Sequence, residues 1–311
     1  MFFSFSPPVA SGVQELSLGF SFSPRYAEEL GLDPQSSYLE LLDTFDFTSV
    51  RIPVYWNRVY RDGIYDFSEV DFLIREAKRR GLSVVLSFGY RNFRWPECYA
   101  PEEFKEGSYA DFERELLIFV GKVTDQFAGG SEVDVWQLEN EPFLHPRCRF
   151  LKLSTIRKEI EQIRYSDDLK RPILLTFGGG EVLGFPLLWP LYKEADIIGA
   201  SYYTRILDPL FRRFYMDVYA LGILSPRAIW REREFIEGKD RDFWVIEVQA
   251  EPWAGDPRTM SPEILKNNWD LLLSQGAADG AYLWGVEWWL REKAGGKPQL
   301  FETARELFGT R

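Results

Sequence analysis

The chain has 311 residues, 45% of them hydrophobic and 27% charged, which is the balance of an ordinary globular protein. A formal net charge of −11 with no long basic run argues against a nucleic-acid partner. No apolar run approaches the roughly 20 residues that span a membrane, and the N-terminus lacks the basic and apolar regions of a signal peptide, so the sequence predicts a cytoplasmic protein without a membrane segment.

Short apolar runs alternate along the chain with helical patterns. Because these runs are apolar throughout, they are typical of strands buried on both faces, as in a parallel sheet. The eight predicted strands span residues 16–22, 48–53, 82–88, 133–139, 172–177, 196–202, 243–246 and 279–285. Eight such units without a linker predict an α/β fold, namely a single (β/α)8 TIM barrel of residues 1–311 with enlarged loops after strand 3 (89–107) and strand 6 (204–242).

Amphipathic patterns and turn residues predict helices between the strands. Ser68 is the expected N-cap of one helix, and Gly81 is expected to end it. The predicted helices lie near 36–45, 68–81, 112–120, 154–165 and 261–276, and one more begins at 225–226 inside the long loop.

Carboxylates follow two of the predicted strands at the point where each strand ends. Glu139, Asn140 and Glu141 come directly after the fourth apolar run, and Pro142 blocks further ladder pairing. Glu247 ends the seventh run. In a (β/α)8 barrel the chemistry lies at the C-terminal ends of the strands, so we expect these side chains to share one site.

The Asn-Glu-Pro triplet at 140–142 resembles the acid/base signature of the clan A glycoside hydrolases, which are retaining enzymes on a (β/α)8 barrel. Three further segments are similar to strand ends of that clan, and no family within the clan is assigned. They are 50–58 (Val-Arg-Ile-Pro-Val-Tyr-Trp-Asn-Arg), 199–204 (Gly-Ala-Ser-Tyr-Tyr-Thr) and 281–285 (Ala-Tyr-Leu-Trp-Gly).

The resemblance implies a catalytic role for two glutamates, Glu141 as general acid/base and Glu247 as nucleophile. It also implies that Arg51 lies beside the nucleophile, where a cation would hold Glu247 ionised. Asn140 matches the residue that contacts the sugar 2-hydroxyl. Tyr203 matches the tyrosine that donates a hydrogen bond to the nucleophile, with residue 202, also Tyr, as the alternative if the register shifts by one.

Aromatic residues are abundant, with 11 Trp, and some of them are expected to stack on sugar rings. The resemblance implies that Trp284 forms the floor of the sugar-binding subsite, and we expect Trp56 and Glu287 to bind substrate as well, with plain packing as an equal alternative for Trp56. Three more Trp residues are as consistent with plain packing as with further subsites, namely Trp253, Trp288 and Trp289.

The chain departs from the clan pattern after the third strand, where many relatives carry a sugar-binding His. Tyr90, Arg91 or Asn92 is expected to take its place. On the sixth strand, Ser201 stands where relatives often carry Asn. Glu251 lies beyond the end of the seventh strand, so a structural role or a place in an outer subsite is expected for it.

Two cysteines and one histidine limit the other chemistry open to the chain. Cys98 and Cys148 do not make a disulfide framework, and each is interpreted as a small buried hydrophobic residue or a loop thiol. His145, the only histidine, cannot supply a histidine-rich metal site, so neither a metal nor a cofactor is expected.

These features favour a retaining β-glycoside hydrolase that acts by double displacement on an oligosaccharide or other β-glycoside. A transglycosylase on the same barrel and a non-catalytic carbohydrate-binding barrel are the alternatives. The sequence leaves open the sugar, the linkage, exo or endo action, and the oligomeric state.

Overall fold

The structure is a computed structural model of the chain. It describes residues 17–143, 148–178, 185–207, 215–217, 236, 238, 241–274 and 279–309. The predicted helix start at 225–226, the glycine at 276 and His145 lie outside these residues.

Eight parallel strands close into a barrel, each paired with the strands before and after it in the chain and β1 paired with β8. They are β1 (Ser17–Ser21), β2 (Ser49–Pro53), β3 (Ser83–Phe88), β4 (Val135–Leu138), β5 (Ile173–Phe177), β6 (Ile197–Tyr202), β7 (Asp242–Gln249) and β8 (Gly280–Trp284). The predicted (β/α)8 barrel is therefore confirmed, and the predicted strands differ from the observed ones mainly at β7, which continues to Gln249. The assignment of residues 1–311 to one domain stays a prediction.

Helices surround the barrel and lie in the connections between strands. They are α1 (Pro24–Glu29), α2 (Pro34–Thr44), α3 (Trp56–Val59), α4 (Ser68–Arg79), α5 (Glu102–Lys105), α6 (Tyr109–Phe127), α7 (Leu153–Ser166), α8 (Phe185–Tyr192), α9 (Pro262–Ser274), α10 (Val286–Ala294) and α11 (Gln299–Phe308). None of these helices combines the length and the apolar character needed to cross a membrane. Two short antiparallel pairs join Tyr60–Arg61 to Ile64–Tyr65 and Arg205–Leu207 to Tyr215–Asp217.

The start of α4 differs from its prediction by one residue. Phe67 is the N-cap and Ser68 is the first helical residue. The Asp66 carboxylate accepts the Ser68 N–H at 2.9 Å, so an acidic side chain just before the helix satisfies the N–H of the first helical residue.

An apolar cluster fills the barrel interior. Its members are the inward-facing side chains Val85, Val135, Leu174, Ile197, Ile246 and Tyr282. Gly19 leaves room for the Tyr282 ring, because a Cβ at Gly19 would lie 2.6 Å from it. Each aliphatic side chain buried in this way stabilises the fold by roughly 1.5–3 kcal/mol. The strands that carry this cluster also hold the polar residues at their C-terminal ends in fixed positions.

A disulfide between Cys98 and Cys148 joins the loop after β3 to the loop after β4. Their Cα atoms are 5.6 Å apart. The expectation of a buried hydrophobic residue or a free thiol at each position was wrong, because β3 and β4 are neighbours in the barrel and their loops meet.

Candidate active site

The chain leaves β4 through a turn of unusual backbone conformation. Glu139 and Glu141 both have positive φ, 53° and 45°, which costs a non-glycine residue of order 1–3 kcal/mol. Three successive N–H groups hold this turn: Glu139 donates to the Phe88 carbonyl, Asn140 to the Arg91 carbonyl at 3.0 Å, and Glu141 to the Thr176 hydroxyl at 2.9 Å. The surrounding strands and loop therefore fix the directions in which these side chains point.

The guanidinium of Arg51 lies fully buried at the centre of the site. Its Nε donates to Gln137 Oε1 at 2.5 Å, its Nη2 to Asn140 Oδ1 at 2.6 Å, and its Nη1 lies 3.4 Å from Glu247 Oε1. The Phe93 ring covers one face, 4.1 Å from Cζ to the ring centroid. Burial lowers the pKa of Arg51, and the Glu247 and Glu141 carboxylates oppose this. An arginine remains charged under such conditions. We call Arg51, Gln137, Asn140 and Glu247 the Arg51 cluster.

Glu247 receives a hydrogen-bond donor on each carboxylate oxygen. Arg51 lies beside Oε1, and the Tyr203 hydroxyl donates to Oε2 at 2.6 Å. The pairing of β7 with β6 shifts register between Val245 and Glu247, so Glu247 lies opposite Ser201. Burial and the nearby Glu247 charge raise the pKa of Tyr203 well above its usual value, so this tyrosine stays protonated and can donate.

Glu141 lies in the same site as Glu247. Ser201, the residue opposite Glu247 in the sheet, donates its hydroxyl to Glu141 Oε1 at 2.5 Å. Both carboxylates act electrostatically on Arg51 and on Tyr203. The sequence placed Ser201 only as a departure from the clan pattern, whereas the structure gives it a direct contact with Glu141.

A second buried arginine, Arg94, lies in the loop after β3. Its Nη1 is 2.5 Å from Glu251 Oε1 and its Nη2 is 3.0 Å from Glu287 Oε2. The guanidinium lies between two rings, with Cζ 3.7 Å from the centroid of Tyr26 and 4.1 Å from that of Trp284. Burial lowers the pKa of Arg94, but the two carboxylates outweigh this and raise it above its usual value. We call these five residues the Arg94 cluster.

A cavity opens above the site, and Glu287 is not among its described lining residues. Its carboxylate is fully buried and also accepts the Ser23 N–H at 2.7 Å. Burial raises the pKa of Glu287, and Arg94 opposes that rise.

The cavity has a volume of about 710 Å³. Tyr203 and Trp284 lie on its inner side, while Trp95 and Trp253 lie at its mouth, 55% and 36% exposed. Its described lining residues are Tyr26, Glu29, Arg94, Trp95, Glu97, Tyr203, Glu251, Pro252, Trp253, Ala254, Gly255 and Trp284. Of the sugar-stacking candidates predicted from the sequence, Trp284 and Trp253 are therefore accessible to a ligand.

Trp56 must be reassigned from substrate binding to the core. It is fully buried and stacks between Phe104 and Phe119, with ring centroids 5.4 and 5.1 Å away. The first turn of α3 directs the ring away from the barrel axis. Trp289 is likewise fully buried and donates its indole N–H to the Ala250 carbonyl. Trp288 is partly buried against the core.

The three residues expected to replace the missing histidine are not among the described lining residues of the cavity. The Tyr90 hydroxyl accepts the Arg149 N–H, and Asn92 donates to the carbonyls of Val54 and Ser87. Arg91 Nη2 lies 2.8 Å from Glu97 Oε2. The loop instead presents Arg94, Trp95 and Glu97 to the cavity, which the sequence did not indicate.

Glu97 is a further carboxyl group on the lining of the cavity. Burial raises the pKa of Glu97 to about 7; the Arg91 cation opposes this, and the charge of Glu247 adds to it.

Glu139 anchors the loop from the other side of the turn. Its carboxylate accepts the N–H groups of Tyr90 and Arg91 at 2.7 and 2.6 Å, and a Cβ at Gly89 would collide with it. Glu159 on α7 lies beside it, fully buried. Burial and the Glu139 carboxylate raise the pKa of Glu159 well above its usual value, which favours its protonated form.

Within the described part of the chain, no group of three or more His, Cys, Asp or Glu side chains is arranged to hold a metal ion. The expected absence of a metal or cofactor stays a prediction.

Similar solved structures are glycoside hydrolases. A family 39 glycoside hydrolase from Bacteroides cellulosilyticus WH2 matches with a TM-score of 0.58 and 15% identity, covering 86% of this chain and 56% of that one. GH5_18 from Streptomyces cattleya, in complex with GlcNAc, matches with a TM-score of 0.60 and 13% identity, covering 86% and 70%. The exo-β-1,4-mannosidase Op5Man5 from Opitutaceae bacterium strain TAV5 matches with a TM-score of 0.60 and 18% identity, covering 86% and 51%.

The chain thus spans about half the length of two of these proteins, and at these identities the likeness shows a shared fold. No protein-family model matches the sequence, and no curated protein matches it.

Proposed function

We propose that the protein is a retaining β-glycoside hydrolase that acts by double displacement. The observation that supports this most is the convergence of Glu141 and Glu247 on Arg51, Tyr203 and Ser201 at the C-terminal ends of the barrel strands. Two carboxyl groups on either side of one anomeric centre are what this reaction needs. Proteins of the same fold that cleave glycosides add support.

In the first step Glu247 attacks the anomeric carbon while the bond to the leaving oxygen breaks. The proton of Glu141 passes to that oxygen, and the sugar becomes an ester of Glu247. In the second step Glu141, now ionised, takes a proton from a water molecule, and the resulting hydroxide displaces Glu247. The donors on both oxygens of Glu247 hold the attacking carboxylate in one orientation, which favours attack by reducing the entropy lost in reaching the transition state.

The other predicted residues bind the substrate in this proposal. Asn140 Oδ1 accepts from Arg51, which leaves the amide nitrogen of Asn140 to donate to the sugar 2-hydroxyl. Trp284 supports the sugar in the inner subsite, and the exposed rings of Trp95 and Trp253 supply stacking surfaces at the mouth.

Replacement of the two glutamates tests the assignment. Glu247→Ala should abolish turnover of an aryl β-glycoside, and azide should restore it by attacking from the vacated side. Glu141→Ala should slow substrates with poor leaving groups far more than aryl glycosides, because only the former need protonation. Glu106→Ala, an exposed residue of the β3 loop, is the control. Equal losses for both leaving-group types would remove Glu141 from the acid role.

The cytoplasmic location predicted from the sequence remains a prediction. The Cys98–Cys148 disulfide argues against it, because disulfides form and persist mainly in oxidising compartments.

A further inference from the structure

The wall of the cavity carries more negative than positive charge. Among its described lining residues are three carboxyl groups, Glu29, Glu97 and Glu251, and one cation, Arg94. Since its pKa is raised to about 7, Glu97 is only partly ionised at neutral pH, and a bound cation would favour its ionised form. Arg94 is already ion-paired with two carboxylates, and the lining residue Tyr203 donates to a further carboxylate, Glu247. A substrate carboxylate or sulfate would therefore meet repulsion and no unpaired cation among these residues.

Glu97 is held in a fixed position in this wall. Its backbone N–H donates to the Arg94 carbonyl at 2.8 Å, and its own carbonyl accepts the Asn92 N–H at 3.1 Å. The disulfide begins at the next residue. Arg91 binds Oε2 only, so the other carboxylate oxygen receives no hydrogen bond from the described residues.

Glu251 offers a second unused acceptor on the same wall. It is 8% exposed, Arg94 contacts its Oε1, and its Oε2 has no hydrogen-bond partner among the described residues. A buried carboxylate oxygen without a donor costs free energy, which a ligand with donor groups would recover. Two carboxylates with unused oxygens indicate a ligand that donates hydrogen bonds and carries positive charge.

We propose that the sugar bound next to Glu247 carries a free amino group, and that Glu97 accepts a hydrogen bond from its ammonium while Glu251 contributes negative charge from the same wall. An ammonium has three donors and no acceptor, which matches oxygens that only accept. The inference rests on the proposed function in placing a sugar in this cavity. It makes Glu97 a specificity-determining residue.

Binding of unreactive methyl β-glycosides tests this by titration calorimetry at pH 7. The probes are the methyl β-glucoside, its analogues with an amine at C2 or at C3, and the methyl β-glucuronide. At least one amine analogue should bind roughly tenfold or more tightly than the glucoside, and the glucuronide should bind most weakly. Glu97→Gln should remove most of the amine preference, whereas Glu106→Gln, exposed on the same loop, should retain it.

The wild-type series alone decides the inference if Glu97→Gln does not fold. Equal or weaker binding of both amine analogues, or an amine preference that survives in a folded Glu97→Gln protein, would overturn it. Turnover of the matching aryl glycosides is measured in parallel. Amine-selective binding without turnover of any aryl glycoside would count against the proposed hydrolase and leave this inference standing. Turnover of an aryl glycoside with no amine preference in binding would support the proposed hydrolase and overturn this inference.

Discussion

Two buried arginines lie in the candidate site, Arg51 on a strand and Arg94 in a loop, and their partners differ. Arg51 contacts one carboxylate and two amide oxygens, whereas Arg94 contacts two carboxylates. An aromatic ring covers Arg51 on one side, and Arg94 lies between two rings. Arg51 therefore orients the proposed nucleophile, while Arg94 joins three separate segments, the β3 loop, the end of β7 and the start of α10. Arg51 thus acts on the proposed reaction, and Arg94 holds the wall of the cavity together.

The largest effect is expected at Arg51. Arg51→Met would leave Glu247 without its cation and Asn140 without its strongest donor, so kcat/KM for an aryl glycoside should fall by roughly a hundredfold or more. The free energy of unfolding should fall by about 3–5 kcal/mol, because one partner of a buried ion pair is lost. Steady-state kinetics and urea unfolding measure the two effects. A variant with unchanged kcat/KM would show that Arg51 does not act on the nucleophile.

Arg94 should affect stability more than the chemical step. Arg94→Met leaves Glu251 and Glu287 buried without a cation, which should cost about 3–5 kcal/mol in the free energy of unfolding. Adding Glu251→Gln and Glu287→Gln to the same chain should recover most of that loss, because no unpaired charge remains. Urea unfolding of the single and triple variants checks this. If kcat fell as steeply as in Arg51→Met, the contrast between the two arginines would be wrong.

The smallest effect on stability is expected at Glu159, which lies beside Glu139, the residue that holds the start of the β3 loop. Its pKa is raised in the folded state, so its contribution to stability is fully present below its unfolded pKa, near 4.5, and is lost as the pH rises toward the folded value. Glu159→Gln keeps a neutral side chain beside Glu139 at every pH. The decline in unfolding free energy between pH 5 and 8 should therefore be shallower than in the wild type.

Glu161→Gln, an exposed change on the same helix, is the control for that measurement. A wild-type pH profile that Glu159→Gln leaves unchanged would mean that Glu159 is not held protonated in the folded chain.

The inner part of the site was predictable from the sequence because barrel geometry places strand ends together. Asn140, Glu141 and Tyr203 lie just beyond the ends of β4 and β6, and Arg51 and Glu247 lie within β2 and β7. The strand pattern predicted a shared site for Glu141 and Glu247, and the resemblance to the clan added Arg51 and Tyr203. The contact of Tyr203, rather than its neighbour, with Glu247 depends on the register of β6 and β7, which the sequence left open.

The wall of the cavity was not predictable from the sequence, because the backbone conformation of the β3 loop decides where its side chains lie. Arg94 and Glu97 have positive φ, 76° and 66°, and nothing in their side chains indicates this conformation. For Glu251, the partner of Arg94, the sequence predicted a structural role or a place in an outer subsite. The pairing of Cys98 with Cys148 could have been considered from the adjacency of strands 3 and 4, but loop conformation decides whether two thiols meet.

Trp56 shows how a strand-end pattern can mislead. It follows β2 in a segment that is similar to the clan's, yet a four-residue helix turns its ring into the core. The last two residues of this helix also point in different directions. Val59 is buried in the core, whereas Arg58 is exposed and pairs with Glu28 and Glu69.

The turn after β4 makes the position of Glu141 depend on the sequence of the loop after β3. Glu139 binds the start of the β3 loop and Glu141 accepts the Ser201 hydroxyl, with only Asn140 between them. Exchange of loop 89–107 for that of another barrel would therefore have to preserve Gly89 and the N–H groups of Tyr90 and Arg91. A graft that ignored them would displace Glu141, the proposed proton donor, even though no residue of β4 had been altered.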